Sequence, residues 1–352
     1  MNKYEISVIE GDGIGKEVIP AAIEVLTAIS KKYDFELNWK KYPWGSDFYL
    51  KTGKMMPDDG LEQLSSSQAV FLGAVGTPEI PDDVTLWGLL IPIRRGFDQY
   101  INLRPMTSFE GVQSPLVNGK NIDLVVVREN VEGEYSTVGG RYYDKTPFAG
   151  AIQSAIFTRR GVERVTRYAQ DLAISRRKNL VSATKSNGIT HSMPFWDEVV
   201  REILAETPQV KLRSVLIDAL AAALVLNPQS FDVIVASNLF GDILSDLTAA
   251  LVGSIGIAPS ANINPEKLFP SMFEPVHGSA PDIAGKGIAN PCGAIWAGSL
   301  MLNHLGEVKS AEALMQQMKR LIAQGKTTPD LGGSETTVSF KAQLIELIDQ
   351  LP

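Results

Sequence analysis

The chain has 352 residues, 44% of them hydrophobic, and a formal net charge of -7. That is enough apolar material for two sizeable cores, and the acidic balance, with no long basic run, argues against nucleic acid as a partner. One cysteine, Cys292, allows no intramolecular disulfide, and the opening MNKYEISVIE holds neither an apolar leader nor a membrane-spanning run, so a cytoplasmic protein with no membrane partner is expected.

The first pattern is a strand over residues 4–9, a glycine-rich turn GDGIG, and a helix whose Val18, Ile19, Ala22, Val25, Leu26 and Ile29 share one face. A phosphate P-loop does not fit the turn. Glu10 stands at the leading glycine, and Glu17 follows Lys16 where Ser or Thr should bind magnesium. A dinucleotide fingerprint is nearer, with Gly11 and Gly13 correctly spaced and Glu36 of FELNW as a ribose contact. Gly15 comes one residue early, however, and a plain tight turn fits at least as well. Residues 68–75, QAVFLGAV, read as a core strand. The stretch LWGLLIPIRRGFDQYINLRP then sets Arg94, Arg95 and Arg104 against an apolar background. A guanidinium meets a carboxylate through two parallel hydrogen bonds, which suits a small dicarboxylate, whereas a single arginine is by default a solvated surface residue.

The strand IDLVVVREN delivers Arg128 and Glu129 at its end, and Tyr135 follows in a loop, as a packing tyrosine or a phenolic acid. Residues 142–156 read as short strands without a core of their own, a ribbon suited to pairing with a second subunit. A helix is expected over 158–175. Beyond it NLVSATK presents Lys185, a solvent lysine unless a nearby cation lowers its pKa enough to make it a base. Asp218 closes the apolar run SVLID at what the pattern makes a strand's carboxyl end. In FDVIVASNLFGDILSD, residues 231–246, a buried strand runs to Ser237, Gly241 marks the turn, and Asp242 and Asp246 stand four apart on a helix. Like charges at that spacing cost a helix a few tenths of a kcal/mol unless a cation lies between them, although the helix dipole alone accounts for Asp242. Together with Asp218 they make an all-oxygen set for Mg2+ or Mn2+. The Gly-, Ala- and Pro-rich FEPVHGSAPDIAGKGIANP at 273–291 predicts a long ordered loop that lets a flat ligand approach the backbone, with His277 a candidate for an adenine and Asp282 for ribose hydroxyls, whereas composition alone reads it as a structural loop. Helical patterns return over 294–305, 311–323 and 338–350.

Taken in order, GDGIG, RRGFDQYINLRP, RENVEGEYS, SATKSN, NLFGDILSD and EPVHGSAPDIAGKGIANP resemble the metal-dependent β-decarboxylating dehydrogenases, the isocitrate and isopropylmalate dehydrogenase family, over nearly the whole chain. LWGLL, FDQYINLRP and ATKSNG resemble its D-malate and tartrate branch. The resemblance implies an α/β, two-lobed fold with a large mixed sheet flanked by helices, not a two-halved Rossmann domain. Residues 1–98 plus 252–352 would form a large lobe with the NAD site. Residues 99–251 would form a small lobe with the metal site and the dimer interface, including a clasp at 140–156. It further implies a homodimer with shared active sites, Lys185 and Asp218 reaching across.

The same resemblance assigns the site. Arg94, Arg104 and Arg128 would hold the carboxylates of a small dicarboxylate 2-hydroxy acid. Asp242, Asp246 and Asp218 would hold Mn2+ or Mg2+, with K+ a further candidate. Lys185 would be the base and Tyr135 the acid. Asn187, His277, Gly278, Ser279, Ala280, Asp282, Ile283 and Asn290 would bind NAD, and the Asp282 carboxylate would repel the 2'-phosphate of NADP. In such a family GDGIG is no fingerprint, and Glu36 loses its ribose role. Trp87, Leu90, Ile91 and Gly188 would set substrate choice. Isopropylmalate enzymes have Glu where Trp87 stands and an apolar side chain where Gly188 stands, so D-malate is expected first and tartrate second. The alternatives are a 3-isopropylmalate dehydrogenase and a non-catalytic metal- or ligand-binding regulator.

Overall fold

Apolar runs become strands throughout. In chain order they are β1 (Asn2–Gly11), β2 (Phe35–Tyr42), β3 (Ala69–Ala74), β4 (Ile101–Thr107), β5 (Asp123–Glu129), β6 (Gly139–Tyr142), β7 (Gly150–Gln153), β8 (Asn179–Thr184), β9 (Lys211–Leu216), β10 (Val233–Ala236), β11 (Pro259–Ile263) and β12 (Ser271–Pro275). The computed structural model describes residues 1–352 as two units. The first comprises Met1–Gln99, Thr107–Lys120 and Ala249–Pro352, and the second Tyr100–Met106 and Asn121–Thr248.

In the first unit the strand order is β2-β1-β3-β12-β11, all parallel except for β11 against β12. β3 is buried at every position, as a central strand covered on both faces must be. The helix Gly15–Lys32 buries Val18, Ile19, Ala22, Val25, Leu26 and Ile29, and packs on the helices Cys292–Leu305 and Thr337–Asp349. Gly298 permits this contact, because a Cβ there would stand 2.5 Å from a Leu26 methyl. Thr107–Lys120, placed in the middle lobe by sequence, clusters with this unit. Ser114 Oγ donates to the Leu251 carbonyl at 2.6 Å, and Phe109 meets Trp296 edge-on at 5.4 Å.

In the second unit the order is β4-β5-β10-β8-β9, with β5, β10, β8 and β9 parallel. β10 is wholly buried between its neighbours. The helix Arg159–Ser175 starts where the Thr158 hydroxyl accepts the Gly161 amide, and fully buried Trp196 donates to Ser182 Oγ at 2.9 Å. β6 and β7 form a separate antiparallel hairpin, exposed almost throughout. The molecule is α/β, its sheet strands mixed in direction and flanked by helices, as the resemblance implies. No helix is long and apolar enough to cross a membrane.

Two expectations of local structure are corrected. Gly241 does not mark the turn after β10, because the helix Asn238–Leu251 begins two residues after the strand and Gly241 lies inside it. Asp218 does not close a strand. β9 ends at Leu216, and Asp218 sits in the first turn of the helix Ile217–Leu226. LWGLL is helical but wide, a π-helical turn over Leu86–Leu90 between the short α-helices Asp82–Thr85 and Ile91–Gly96.

Candidate active site

Parallel pairing sets β5 beside β10 so that Arg128 lies opposite Ala236, where the chain turns into the helix Asn238–Leu251. That neighbour explains Gly241. A Cβ there would come within 2.5 Å of Arg128 Cβ, so glycine lets the arginine stem cross the first turn of the helix. Arg128 Nε and Nη2 both donate to Asn238 Oδ1, at 3.0 and 2.6 Å, and Nη1 donates to Asp242 Oδ1. Arg104, on β4, is fixed by Nε to Asn102 Oδ1 at 2.8 Å. Its Nη1 reaches Ser245 Oγ at 2.7 Å and Asp246 Oδ1 at 3.0 Å, with Nη2 3.6 Å from Asp242. Both guanidinium groups are buried, with side chains 8% and 4% exposed, while Asp242 and Asp246 remain 34% and 58% exposed. The Tyr135 hydroxyl donates to the other Asp242 oxygen, Oδ2, at 2.9 Å.

Sequence reasoning thus placed Arg104, Arg128, Tyr135, Asp242 and Asp246 in what proves to be one cluster. The buried guanidinium groups face carboxylates that stay partly exposed, and the oxygen-only donor chemistry of Asp242 and Asp246 fits a hard divalent cation. Asp218 is elsewhere. It pairs with Lys185 at 2.8 Å, and this ammonium holds its carboxyl below the usual carboxylate range. No group of three or more Asp, Glu, His or Cys side chains capable of holding a metal forms within one chain. Asn187 and Gly188 lie exposed just after Lys185, the Gly188 amide bonded to the Lys185 carbonyl at 2.9 Å.

In the first unit Arg94 is buried and Nη2 pairs with Glu274 at 2.9 Å. The same Glu274 oxygen takes Asn262 Nδ2 at 2.8 Å, and Arg94 Nε is buried with no partner. Of the specificity candidates on this unit, Trp87 is exposed under the Arg95 guanidinium at 5.0 Å, Leu90 is half-buried and Ile91 buried.

The GDGIG turn has a use that its spacing did not disclose. Asp12, buried, accepts from Ser46 N at 2.8 Å, Ser46 Oγ at 2.6 Å and Gly76 N at 2.8 Å. Gly13, at φ +49°, lies so close to Ser279 that a Cβ would be 2.0 Å from its carbonyl oxygen, and Ile14 N donates to that oxygen at 2.9 Å. Glu17 accepts from the amides of Gly285 and Gly287. The turn is therefore the seat of the 273–291 loop. Glu36 instead pairs with Lys3 on the surface at 2.7 Å, which removes it as a ribose contact.

On that loop the His277 ring is largely buried, which lowers its pKa, and Nε2 has no partner. Gly278, Gly285 and Gly287 have nothing within 4 Å of a notional Cβ, so the backbone is open to a flat ligand. An unpartnered ring nitrogen beside open backbone fits a dinucleotide. Ala280 adopts φ +42°, and Asp282 is exposed beside half-buried Ile283. Asn290 Nδ2 donates to Asp330 at 3.0 Å, a partner that the sequence did not single out. Glu17, Glu134, Asn238 and Glu274 were equally missed. All but Glu17 lay inside the quoted motifs, but their roles depend on contacts that spacing does not encode.

A family model described as isocitrate/isopropylmalate dehydrogenase matches residues 5–348. A probable tartrate dehydrogenase/decarboxylase of Bacillus subtilis is 52% identical, covering 100% of this chain and 99% of its own length. A D-malate dehydrogenase [decarboxylating] of Escherichia coli is 51% identical over 99% of both chains. Among solved structures, isocitrate dehydrogenase from Methylococcus capsulatus superposes with a TM-score of 0.90 at 36% identity, covering 99% of this chain and 100% of that one. With a family model matched over residues 5–348 and relatives at half identity over the whole length, the chain belongs to the isocitrate/isopropylmalate dehydrogenase family.

Proposed function

We propose that the protein catalyses the NAD-dependent oxidative decarboxylation of D-malate to pyruvate and CO2, with tartrates as further substrates. The observation that carries this reading is Asp242, which meets Arg128 on one oxygen and the Tyr135 hydroxyl on the other. A carboxylate-binding cation and a proton donor thus share one anchor. Relatives named for D-malate and tartrate support the substrate class. Trp87, whose exposed indole stands where isopropylmalate enzymes have Glu, supports a small substrate.

Asp242 and Asp246, with Asp218 from a second copy, would hold Mn2+ or Mg2+, with K+ a further requirement, and the 273–291 loop would hold NAD. When bound, these groups supply a Lewis acid beside the 2-hydroxyl and the hydride acceptor. The side chains do the rest. Arg94, Arg104 and Arg128 bind the two carboxylates, Arg128 taking the one that is lost. Lys185 of the second copy, as the neutral amine, takes the hydroxyl proton as C2 gives up hydride, leaving a β-keto acid. Loss of CO2 leaves an enolate, and Tyr135 delivers its proton to C3. Asp282, exposed on the loop, would meet the ribose hydroxyls and disfavour NADP.

We read the working unit as a homodimer. The hairpin β6–β7 exposes Tyr142, Tyr143, Phe148 and Ile152, while Val225 and Leu226 of one helix and Leu239 and Ile243 of another are also bare, apolar side chains that a second copy would cover. A cytoplasmic location belongs to the same reading. The test is NADH formation by purified protein with Mn2+ and K+ on D-malate, L-tartrate, meso-tartrate and 3-isopropylmalate. D-malate should show the highest kcat/KM. If 3-isopropylmalate leads instead, the Trp87 argument fails and the family assignment stands.

A further inference from the structure

Two side chains that the mechanism above does not use tie the Tyr135 loop to the helix that carries Asp242 and Asp246. Glu134, immediately before Tyr135, accepts from Ser237 Oγ through Oε1 at 2.7 Å and from the Leu239 amide through Oε2 at 3.0 Å. Asn238 donates Nδ2 to the Glu132 carbonyl at 3.1 Å while its Oδ1 holds Arg128. The first-turn amides of a helix have no partner within it, so a carboxylate there satisfies one of them and lies at the positive end of the helix dipole. One residue earlier, Gly133 exchanges hydrogen bonds with Ile156 at 2.8 and 3.0 Å. The chain is thus pinned at 133 and again at 134, and the Tyr135 ring leaves from that second pin to reach Asp242 Oδ2 at 2.9 Å.

We propose that Glu134 is a positioning residue, which keeps the Tyr135 phenol in register with Asp242 so that proton delivery to the enolate keeps pace with decarboxylation. The inference rests on Tyr135 acting as the acid in the reaction proposed above. A carboxylate that only capped the helix would lower stability when removed. One that positions Tyr135 must also slow a step after hydride transfer while leaving substrate binding to the arginines.

The experiment compares the full-length protein with Glu134→Ala and Glu134→Gln. It reads thermal midpoint, kcat and KM on D-malate, the ratio of the enol of pyruvate released to pyruvate formed, and amide hydrogen exchange at Tyr135 and Leu239. Glu134→Ala is expected to lower kcat roughly tenfold, the scale of a small misplacement of a reacting group, with KM nearly unchanged. The fraction released as the enol of pyruvate should rise and both amides should exchange faster. Glu134→Gln, which keeps one acceptor for the Leu239 amide, should recover most of the kcat. If the thermal midpoint falls with no change in kcat or product ratio, Glu134 is only a helix cap and the proposal is overturned, as it is if exchange at both amides is unaltered. Should Glu134→Ala fail to fold, Glu134→Asp, one methylene shorter, carries the same comparison. If the unmodified protein forms no NADH from any of the acids, the substrate reading fails, and the exchange data alone then decide whether Glu134 holds the two segments together.

Discussion

Glu17 holds the amide of Gly285 at 2.6 Å through one carboxylate oxygen and, through the other, that of Gly287 at 2.9 Å. Both glycines have positive φ, so the loop reaches Glu17 in a conformation that other residues rarely adopt. The helix that bears Glu17 therefore pre-forms the loop proposed to bind NAD. Removing the tie makes binding pay for ordering the loop, while chemistry on the bound complex is untouched. Glu17→Ala should raise KM for NAD+ about tenfold with kcat at saturating NAD+ unchanged, as initial rates over a range of NAD+ will show.

Gly241→Ala separates helix propensity from packing. Alanine in a helix is favoured over glycine by about 1 kcal/mol, so propensity alone predicts a more stable protein. The 2.5 Å approach to Arg128 Cβ predicts displacement of that arginine from Asn238 and Asp242. KM for D-malate should rise at least about tenfold, the worth of one lost charged hydrogen bond, and steady-state kinetics with a thermal melt will tell the two effects apart.

Glu129 ends β5 fully buried, and desolvation is the main cause that raises its carboxyl to about 7, although the amides of Glu132 and Val131 and the charge of Arg164 pull the other way. A folded-state pKa above the unfolded value means that the stabilising form is the protonated one. Its contribution is complete below the unfolded value of 4.5 and is lost as pH rises through about 7. Glu129→Gln, permanently neutral, should remove this component. The difference in unfolding free energy between the variant and the parent should shift in the variant's favour from pH 5 to pH 8, and denaturant titrations at the two pH values measure it.

The Arg94–Glu274 pair is buried on both sides, so deleting one partner strands the other charge. Glu274→Ala should cost about 3–5 kcal/mol in denaturant-induced unfolding. A loss below 1 kcal/mol would mean that water reaches the guanidinium freely.

Chelation tests the cation directly. With EDTA in excess over Mn2+, or with Asp242→Asn, which keeps an oxygen for Arg128 and Tyr135, turnover should stop while a thermal melt shows the protein still folded. Undiminished activity after either treatment would remove the metal from the mechanism.

Periodicity alone located the face of the Gly15–Lys32 helix and the buried strand before Asp242, because one buried side imposes a repeat that a short window reveals. The same window misread Gly241 and Asp218. Gly241 looked like a turn because glycine usually serves there, and its real reason, the passage of Arg128, comes from β5 lying beside β10. Asp218 looked like a strand end because SVLID is apolar through Ile217, yet the strand stops at Leu216. Glu17 was weighed only against a P-loop, since its partners lie 268 and 270 positions away. The grouping of Arg128, Tyr135 and Asp242 was legible from their residue types and motifs. Residues that act by holding others were not, because holding is a property of distance in space.

The first unit is assembled from both ends of the chain, and this governs the order in which the protein can fold during synthesis. β3 has β1 on one side as soon as residues up to Gln99 have emerged, but its other edge stays open until Ser271–Pro275 arrives to form β12. Meanwhile the whole of the second unit has been translated and can close on itself. An apolar strand with a bare edge invites pairing with other chains. The nascent protein is therefore most exposed to aggregation while the middle of its own sequence is being made, the interval over which its first hundred residues carry an uncovered strand edge.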